Sequence, residues 1–269
     1  MRDIRIATVI FNAPAGEKSL NLDRIKLWVR AAHEHKAEII CFPEMNITGY
    51  GVCPSVITVA ELIPGPITRT LEQLAVSEQI IILAGMAEKD SQGRLFVTHL
   101  IVRPNRPVGV YRKLHLAPPE QSVFTQGNTV AVFKIQDFCF GVQLCYDAHF
   151  PELTTQMALR GADAIFIPHA SPRGTPDQKM ESWMRHLTAR AFDNALFIIV
   201  CNQSGENGAG LTFPGIAMVI DPSGHIINKD ICGKEGLLVT ELKAEALNYV
   251  RNHRMRFFLP HRRSELYDR

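Results

Sequence analysis

Short apolar runs rich in β-branched and aromatic residues recur along the whole 269-residue chain, and they limit its fold more than any other feature. Several are continuously apolar, which is typical of strands covered on both faces or packed sheet on sheet. The runs predict strands at 4–10, 37–42, 80–86, 95–102, 130–135, 138–144, 164–168, 196–202, 216–220 and 236–242. A chain with this many buried strands needs stacked sheets or helices on both faces.

Amphipathic segments between some of these runs predict helices at 19–35, 150–160 and 177–193. Strand–helix alternation opens the chain, and hairpin-like pairs of strands follow it. No linker, internal repeat or low-complexity segment divides the sequence. We therefore expect a single α/β domain over residues 1–269 with a mixed sheet system.

Composition and charge exclude several classes of partner. Apolar residues make up 46% and charged residues 21%, which is ordinary for a soluble domain with a full core. The formal net charge of +2 is too small to suggest a nucleic acid or an anionic membrane surface. No apolar run approaches the roughly 20 residues that a membrane helix needs. We expect neither nucleic acid nor membrane as a partner.

The six cysteines show no metal-binding or disulfide pattern. They form no CxxC pair, and no cysteine–histidine cluster has zinc spacing. The start of the sequence has no long apolar segment of the kind found in secretory signals. The sequence therefore predicts a cytoplasmic protein with reduced thiols and no metal site.

Cys145 ends an apolar run in "FGVQLCYDAHFPEL", and Pro151 opens a predicted helix soon after it. A side chain at such a strand-to-helix turn points to the sheet edge where open α/β sheets build their sites. Free backbone N–H groups of the turn can also bind an oxyanion. The alternative is a buried thiol without a chemical role.

Glu44 and Lys113 also lie near predicted strand ends. Glu44 follows a buried strand and a proline in "IICFPEMNITGY"; it is a candidate base or merely a turn residue. Lys113, in "VGVYRKLHLAPPEQ", belongs to a solvated basic patch or points inward. An inward ammonium needs a carboxylate partner or an oxyanion, and Glu120 is a candidate partner.

Together these segments resemble the nitrilase, or carbon–nitrogen hydrolase, superfamily. The matching motifs are "FPEMNITGY" with Glu44, "YRKLHL" with Lys113 and "CYDAHFPE" with Cys145, in the family's order. Further segments, such as "DPSGHII" and "FFLPHRRSELY", extend the resemblance over nearly the whole chain. The resemblance implies a four-layer α-β-β-α sandwich, no cofactor, and a homodimer or higher homo-oligomer. It also suggests that the tail, about residues 250–269, lies at the oligomer interface.

The resemblance further implies a mechanism. Glu44 would take the proton of Cys145, and the thiolate would attack an amide or nitrile carbon. Lys113 and the backbone N–H of Tyr146 would hold the oxyanion. Glu120 would position Lys113 or the substrate. The reaction would pass through a thioester intermediate on Cys145 and release ammonia.

The cysteine motif "CYD" is more similar to amidase and carbamoylase branches than to true nitrilases. His149 stands where branches that act on ω-amides of keto acids usually have an arginine, and Arg173 is a candidate replacement. His169 and Trp183 are candidates for the pocket wall or for the core. The sequence predicts a hydrolase of a small linear amide or N-carbamoyl compound. Nitrile hydrolysis and a catalytically silent binding protein remain the alternatives.

Overall fold

The computed structural model describes residues 1–266. Its α-helices are α1 (Lys18–Glu34), α2 (Pro54–Thr58), α3 (Pro66–Glu78), α4 (Pro151–Leu159), α5 (Pro176–Asn194) and α6 (Ala244–Arg251). Its strands are β1 (Ile4–Ile10), β2 (Ile39–Cys41), β3 (Ile81–Lys89), β4 (Leu95–Val102), β5 (Gly109–Arg112), β6 (Val132–Ile135), β7 (Phe138–Val142), β8 (Ala164–His169), β9 (Phe197–Asn202), β10 (Ser204–Glu206), β11 (Thr212–Pro214), β12 (Ala217–Ile220), β13 (Ile226–Asp230) and β14 (Gly236–Leu242).

The strands form two large mixed sheets. The first has the order β14-β1-β2-β3-β4-β5, and its central strands β1, β2 and β3 are parallel. The second has the order β13-β12-β9-β8-β7-β6, and β7, β8 and β9 are parallel. In each sheet the parallel strands place their carboxyl ends at one edge, where side chains that follow the strands can meet.

The sheets stack face to face, and helices cover both outer faces. Ile25 and Val29 of α1 pack with Leu71 of α3 on the first sheet. On the second sheet the cover consists of α4 and α5, whose buried side chains include Leu187. Between the sheets, the Cys201 thiol lies 3.8 Å from the Cys41 carbonyl oxygen. This is the predicted four-layer α-β-β-α sandwich, and the expectation is confirmed.

The predicted strands are all present, with ends that differ by a few residues. The run 138–144 leaves the ladder after Val142, because the chain turns there toward Cys145. Helices α2, α3 and α6 were not predicted. In α3 the apolar residues Ile67, Leu71 and Leu74 recur at helical spacing, and Pro66 occupies the first turn. The sequence therefore contained the signal for this helix.

The C-terminal segment lies on the surface. Of the predicted interface tail at about 250–269, residues 267–269 lie outside the described residues. Met255 is 75% exposed, whereas the Phe258 ring packs 5.4 Å from that of Phe192 on α5. In the part of the chain that the structure describes, no helix is both long enough and apolar enough to cross a membrane.

Candidate active site

Glu44 is held where the two sheets meet. It follows β2 at the carboxyl end of the parallel strands, and its side chain is fully buried. Its Oε2 accepts a hydrogen bond from the backbone N–H of Ala170, 3.0 Å away, just after β8 of the other sheet. Its carbonyl oxygen accepts a second one from the Gln203 amide, at 2.8 Å. Both sheets therefore fix the position of this carboxylate.

Lys113 links Glu44 to Glu120. It directly follows β5, and its N–H continues the ladder by donating to the Val97 carbonyl at 2.9 Å. Its Nζ donates to Oε1 of Glu44 and to Oε1 of Glu120, both at 2.8 Å. The Tyr50 hydroxyl donates to the same Glu120 oxygen at 2.9 Å. Of the two alternatives for Lys113, a solvated basic patch and an inward side chain, the structure shows the inward one, paired with the candidate partner Glu120.

Cys145 begins a short 3₁₀ segment, Cys145–His149, which we call the cysteine turn. The segment follows β7 at the carboxyl end of the parallel strands of the second sheet. The φ angle of Cys145 is +43°, in the left-handed region that non-glycine residues rarely adopt. The residue as a whole is half-buried, and its backbone is held in a conformation that few side chains adopt.

Burial dominates the electrostatics of these groups. It raises the pKa of Glu44 to about 7, with Lys113 opposing the rise and Glu120 adding to it. Burial alone would lower the pKa of Lys113, but the Glu44 and Glu120 carboxylates outweigh it and raise that pKa. Burial and the Glu44 carboxylate raise the pKa of the Cys145 thiol, while Lys113 lowers it. At neutral pH the resting set is a neutral thiol, a protonated lysine and a carboxyl poised to exchange a proton.

Asp147, which sequence reasoning left without a role, anchors the cysteine turn. The aspartate is fully buried. Its Oδ2 accepts from the Tyr111 hydroxyl at 2.8 Å and from the Leu144 N–H at 3.0 Å. Its Oδ1 accepts from the backbone N–H of His115 at 2.8 Å and lies 2.9 Å from the His115 Nδ1. Asp147 therefore ties the turn that carries Cys145 to the strand end that carries Lys113.

The face of α5 lies against the cysteine turn. The guanidinium of Arg190 donates to the carbonyl oxygens of Ala148, at 3.2 Å, and His149, at 3.3 Å. The His149 ring is exposed and lies tilted against that of His186, with centroids 4.7 Å apart. These contacts hold the end of the cysteine turn, which includes His149, against α5.

The remaining predicted site residues are spread more widely. His169 is buried, its ring centroid lies 4.2 Å from that of Trp183, and its Nδ1 lies 2.7 Å from the Ile167 carbonyl oxygen. The Tyr146 ring is half-buried and lies 5.5 Å from that of His149. Arg173 is exposed, and the structure does not bring it into contact with Glu44, Lys113 or Cys145 within residues 1–266.

These groups can supply a nucleophile, a base and a fixed cation at one place. Within the described residues, no group of three or more His, Cys, Asp or Glu side chains is arranged to hold a metal ion. The first N–H groups of the cysteine turn begin a helical segment, where backbone donors have no partner inside the helix. An oxyanion formed beside Cys145 would therefore meet both an ammonium and backbone donors.

Comparisons with known proteins identify the family of this chain. A family model described as carbon-nitrogen hydrolase matches residues 5–252. A nitrilase from Pyrococcus abyssi is 28% identical over 270 residues, which cover 99% of this chain and 100% of the relative. An (R)-stereoselective amidase from a Pseudomonas species is 29% identical over 212 residues, or 79% of this chain and 75% of the relative.

Solved structures share the fold. A mutant of an amidase from Nesterenkonia sp. AN1, in complex with butyramide, superposes with a TM-score of 0.85 at 24% identity. The superposition covers 98% of this chain and 96% of the amidase. The match to the family model confirms the resemblance seen in the motifs. The chain belongs to the carbon-nitrogen hydrolase family, enzymes that cleave carbon–nitrogen bonds other than peptide bonds.

Proposed function

We propose that this enzyme hydrolyses the carbon–nitrogen bond of a small linear amide or N-carbamoyl compound through a thioester on Cys145, with release of ammonia. The observation that carries the proposal is the position of Lys113, whose ammonium bridges Glu44 and Glu120 and lies within electrostatic reach of the Cys145 thiol. If Lys113 were buried only to stabilise the fold, this role would not explain why the neighbouring turn holds a cysteine in the left-handed conformation.

In the first half-reaction Glu44 acts as the base. It takes the Cys145 proton, and the sulfur forms a bond to the amide carbon while the carbonyl electron pair moves to oxygen. Lys113 and the backbone N–H of Tyr146 stabilise this oxyanion. The pair then returns, the carbon–nitrogen bond breaks, and the nitrogen leaves as ammonia with the proton from Glu44.

In the second half-reaction, water takes the place of the thiol as the nucleophile. Glu44, again a carboxylate, takes a proton from water, and the hydroxide oxygen attacks the thioester carbon. Collapse of this second tetrahedral intermediate breaks the carbon–sulfur bond and returns the proton to Cys145. A pKa of about 7 suits Glu44 to both directions of proton transfer near neutral pH.

Nitrile hydrolysis is the second candidate, and the Pyrococcus abyssi relative named a nitrilase supports it. The first experiment measures ammonia release from butyramide, N-carbamoyl compounds and butyronitrile, with wild type and Cys145→Ala side by side. Cys139→Ala is the matched control, because Cys139 is also half-buried but lies within β7. Release from amides by wild type and Cys139→Ala, but not by Cys145→Ala, would support the proposal.

Two other results would change it. Ammonia from the nitrile alone would make the second candidate the function. No ammonia from any compound, together with a Cys145 thiol that does not react with iodoacetamide at neutral pH, would indicate a catalytically silent binding protein. Mass spectrometry of the alkylated protein identifies the modified cysteine.

We also propose that the protein self-associates and that it is located in the cytoplasm. Exposed apolar side chains near the C-terminus, Tyr249 and Met255 among them, are consistent with a covered surface in a homodimer. Light scattering on the purified chain tests this, and a monomer at micromolar concentration would contradict it.

A further inference from the structure

One face of α5 packs beside the cysteine turn. Lys179, Trp183, His186 and Arg190 follow one another at helical spacing, so their side chains project from the same side. Arg190 contacts the turn through the carbonyl oxygen of Ala148 at 3.2 Å, and the His186 ring lies tilted against that of His149, with centroids 4.7 Å apart. We call these four side chains the α5 wall.

Lys179 lies at the opposite end of the α5 wall from Arg190, close to the base. Its Nζ donates to the Ser171 hydroxyl at 2.8 Å and to the Pro172 carbonyl oxygen at 3.1 Å. Ser171 directly follows Ala170, whose N–H binds Glu44 at 3.0 Å. The segment that fixes the candidate base therefore also holds the Lys179 ammonium.

The Lys179 ammonium has neutral partners. It is half-buried, and within residues 1–266 it makes no ion pair with a carboxylate. Arg190, by contrast, has Asp193 and Glu152 in its surroundings. Removing a charge from water without an opposite charge is unfavourable, so Lys179 occupies a place where an anion would be stabilised.

The histidines of this region do not supply the positive charge. Burial lowers the pKa of His186 to about 4, and burial also lowers the pKa of His149 and of His169. All three rings are therefore neutral at pH 7. Burial lowers the pKa of Lys179 as well, but a thiolate at Cys145 opposes that effect, which indicates that the two groups are within electrostatic reach.

We propose that Lys179 binds a carboxylate of the substrate, so that the preferred substrates are short amides or N-carbamoyl compounds that carry a carboxylate at the end away from the reacting bond. This inference rests on the proposed hydrolase function and names the substrate class of that same site. In this role Lys179 selects the substrate and takes no part in bond breaking.

The test compares two amides of equal chain length, succinamate with a carboxylate and butyramide without one. The quantity measured is the ratio of their kcat/KM values in wild type, Lys179→Met and Lys179→Arg. A charged hydrogen bond of this kind predicts that Lys179→Met lowers the ratio by about 10- to 100-fold. Lys179→Arg should keep the ratio within several-fold of wild type. Lys26→Met, at an exposed lysine on α1, is the matched control and should leave the ratio as in wild type.

Calorimetry with Cys145→Ala protein gives a readout that does not depend on turnover. Succinamate should bind more tightly than butyramide, and the difference should disappear in the Cys145→Ala, Lys179→Met double variant.

A ratio of kcat/KM values that favours butyramide in wild type, or that Lys179→Met leaves unchanged, would overturn the inference. Absence of turnover with both amides would instead count against the proposed function, while calorimetry would still decide whether Lys179 binds the carboxylate. Thermal unfolding of each variant checks that it is folded.

Discussion

The Nζ atom of Lys113 lies 2.8 Å from Oε1 of Glu44, and neither side chain is exposed beyond 1%. The same ammonium lies 2.8 Å from Oε1 of Glu120. One buried ammonium thus pairs with two carboxyl groups. If both carboxyl groups are ionised, the cluster of Lys113, Glu44 and Glu120 carries an excess negative charge. This excess, together with burial, keeps the Glu44 proton exchangeable near neutral pH.

Activity should depend on pH through Glu44. In the proposed mechanism its carboxylate form is the base, and its pKa is raised to about 7, so kcat/KM should fall as the pH drops through about 7. The charge of Glu120 contributes to that raised pKa. Glu120→Gln removes the charge, so the acidic limb should move to lower pH while kcat falls. A pH profile of kcat/KM on butyramide, which does not ionise in this range, measures both effects.

Glu78→Gln is the matched control for this profile. Glu78 lies on α3 and is partly buried next to Arg30, away from the cluster. Its replacement should leave the acidic limb where it is in wild type. An acidic limb at the same pH in Glu120→Gln and wild type would show that Glu120 does not act on the base electrostatically.

Lys113→Met should reduce both catalysis and stability. Loss of an oxyanion donor costs roughly 10²–10³ in kcat in other enzymes. The variant also leaves two carboxyl groups buried without their cation, which costs about 3–5 kcal/mol in the free energy of unfolding when both are ionised. Lys113 holds the pKa of Glu44 down, so without this cation the Glu44 carboxyl protonates more readily, and the stability deficit should be smaller at pH 5.5 than at pH 8.

Urea unfolding at the two pH values measures this deficit as the difference between wild type and variant. Lys26→Met is again the control, because Lys26 is exposed and its pair with Asp23 is a surface pair. A deficit in Lys113→Met that is equal at both pH values would argue against two buried carboxylates as its cause.

The sequence predicted the cluster because its members share a local property. Glu44 and Cys145 each follow a buried strand closely, Lys113 directly follows the edge strand β5, and side chains at strand ends gather at one edge of a sheet. The sequence did not predict the contacts of Asp147 or the place of Lys179. Those depend on how the two sheets stack and how α5 is rotated, and a periodic pattern does not specify either.

Replacement of Asp147 should show whether the cysteine turn must be anchored. Between them, the two Asp147 carboxylate oxygens accept hydrogen bonds from Tyr111, Leu144 and His115. Asp147→Asn replaces one of these acceptor oxygens with an amide NH2 group, which then faces other hydrogen-bond donors. This buried mismatch costs about 1–3 kcal/mol in the free energy of unfolding. We expect kcat on butyramide to fall by more than KM changes, since in the proposed mechanism the turn positions the Cys145 thiol and the Tyr146 N–H, which act on the tetrahedral intermediate more than on the bound amide.

Tyr111→Phe removes only one of those donors and should have a smaller effect on kcat. Thermal unfolding separates positioning from folding, because both variants should remain cooperatively folded at the assay temperature. Equal activity of Asp147→Asn and wild type would show that the turn keeps its shape without this anchor.

The backbone of Cys145 gives the last prediction. At a φ of +43° any residue with a Cβ is strained, and a residue held in that region costs on the order of 1–3 kcal/mol. Cys145→Gly should therefore be more stable than Cys145→Ala by about 1 kcal/mol. At Cys139, inside β7, the order should be reversed, because glycine in a strand interior is about 0.5–1 kcal/mol less stable than alanine. Urea unfolding of the four variants tests both orders at once. If glycine is the less stable residue at both positions, the left-handed turn is not a source of strain, and the thiol must be held in place by its side-chain surroundings alone.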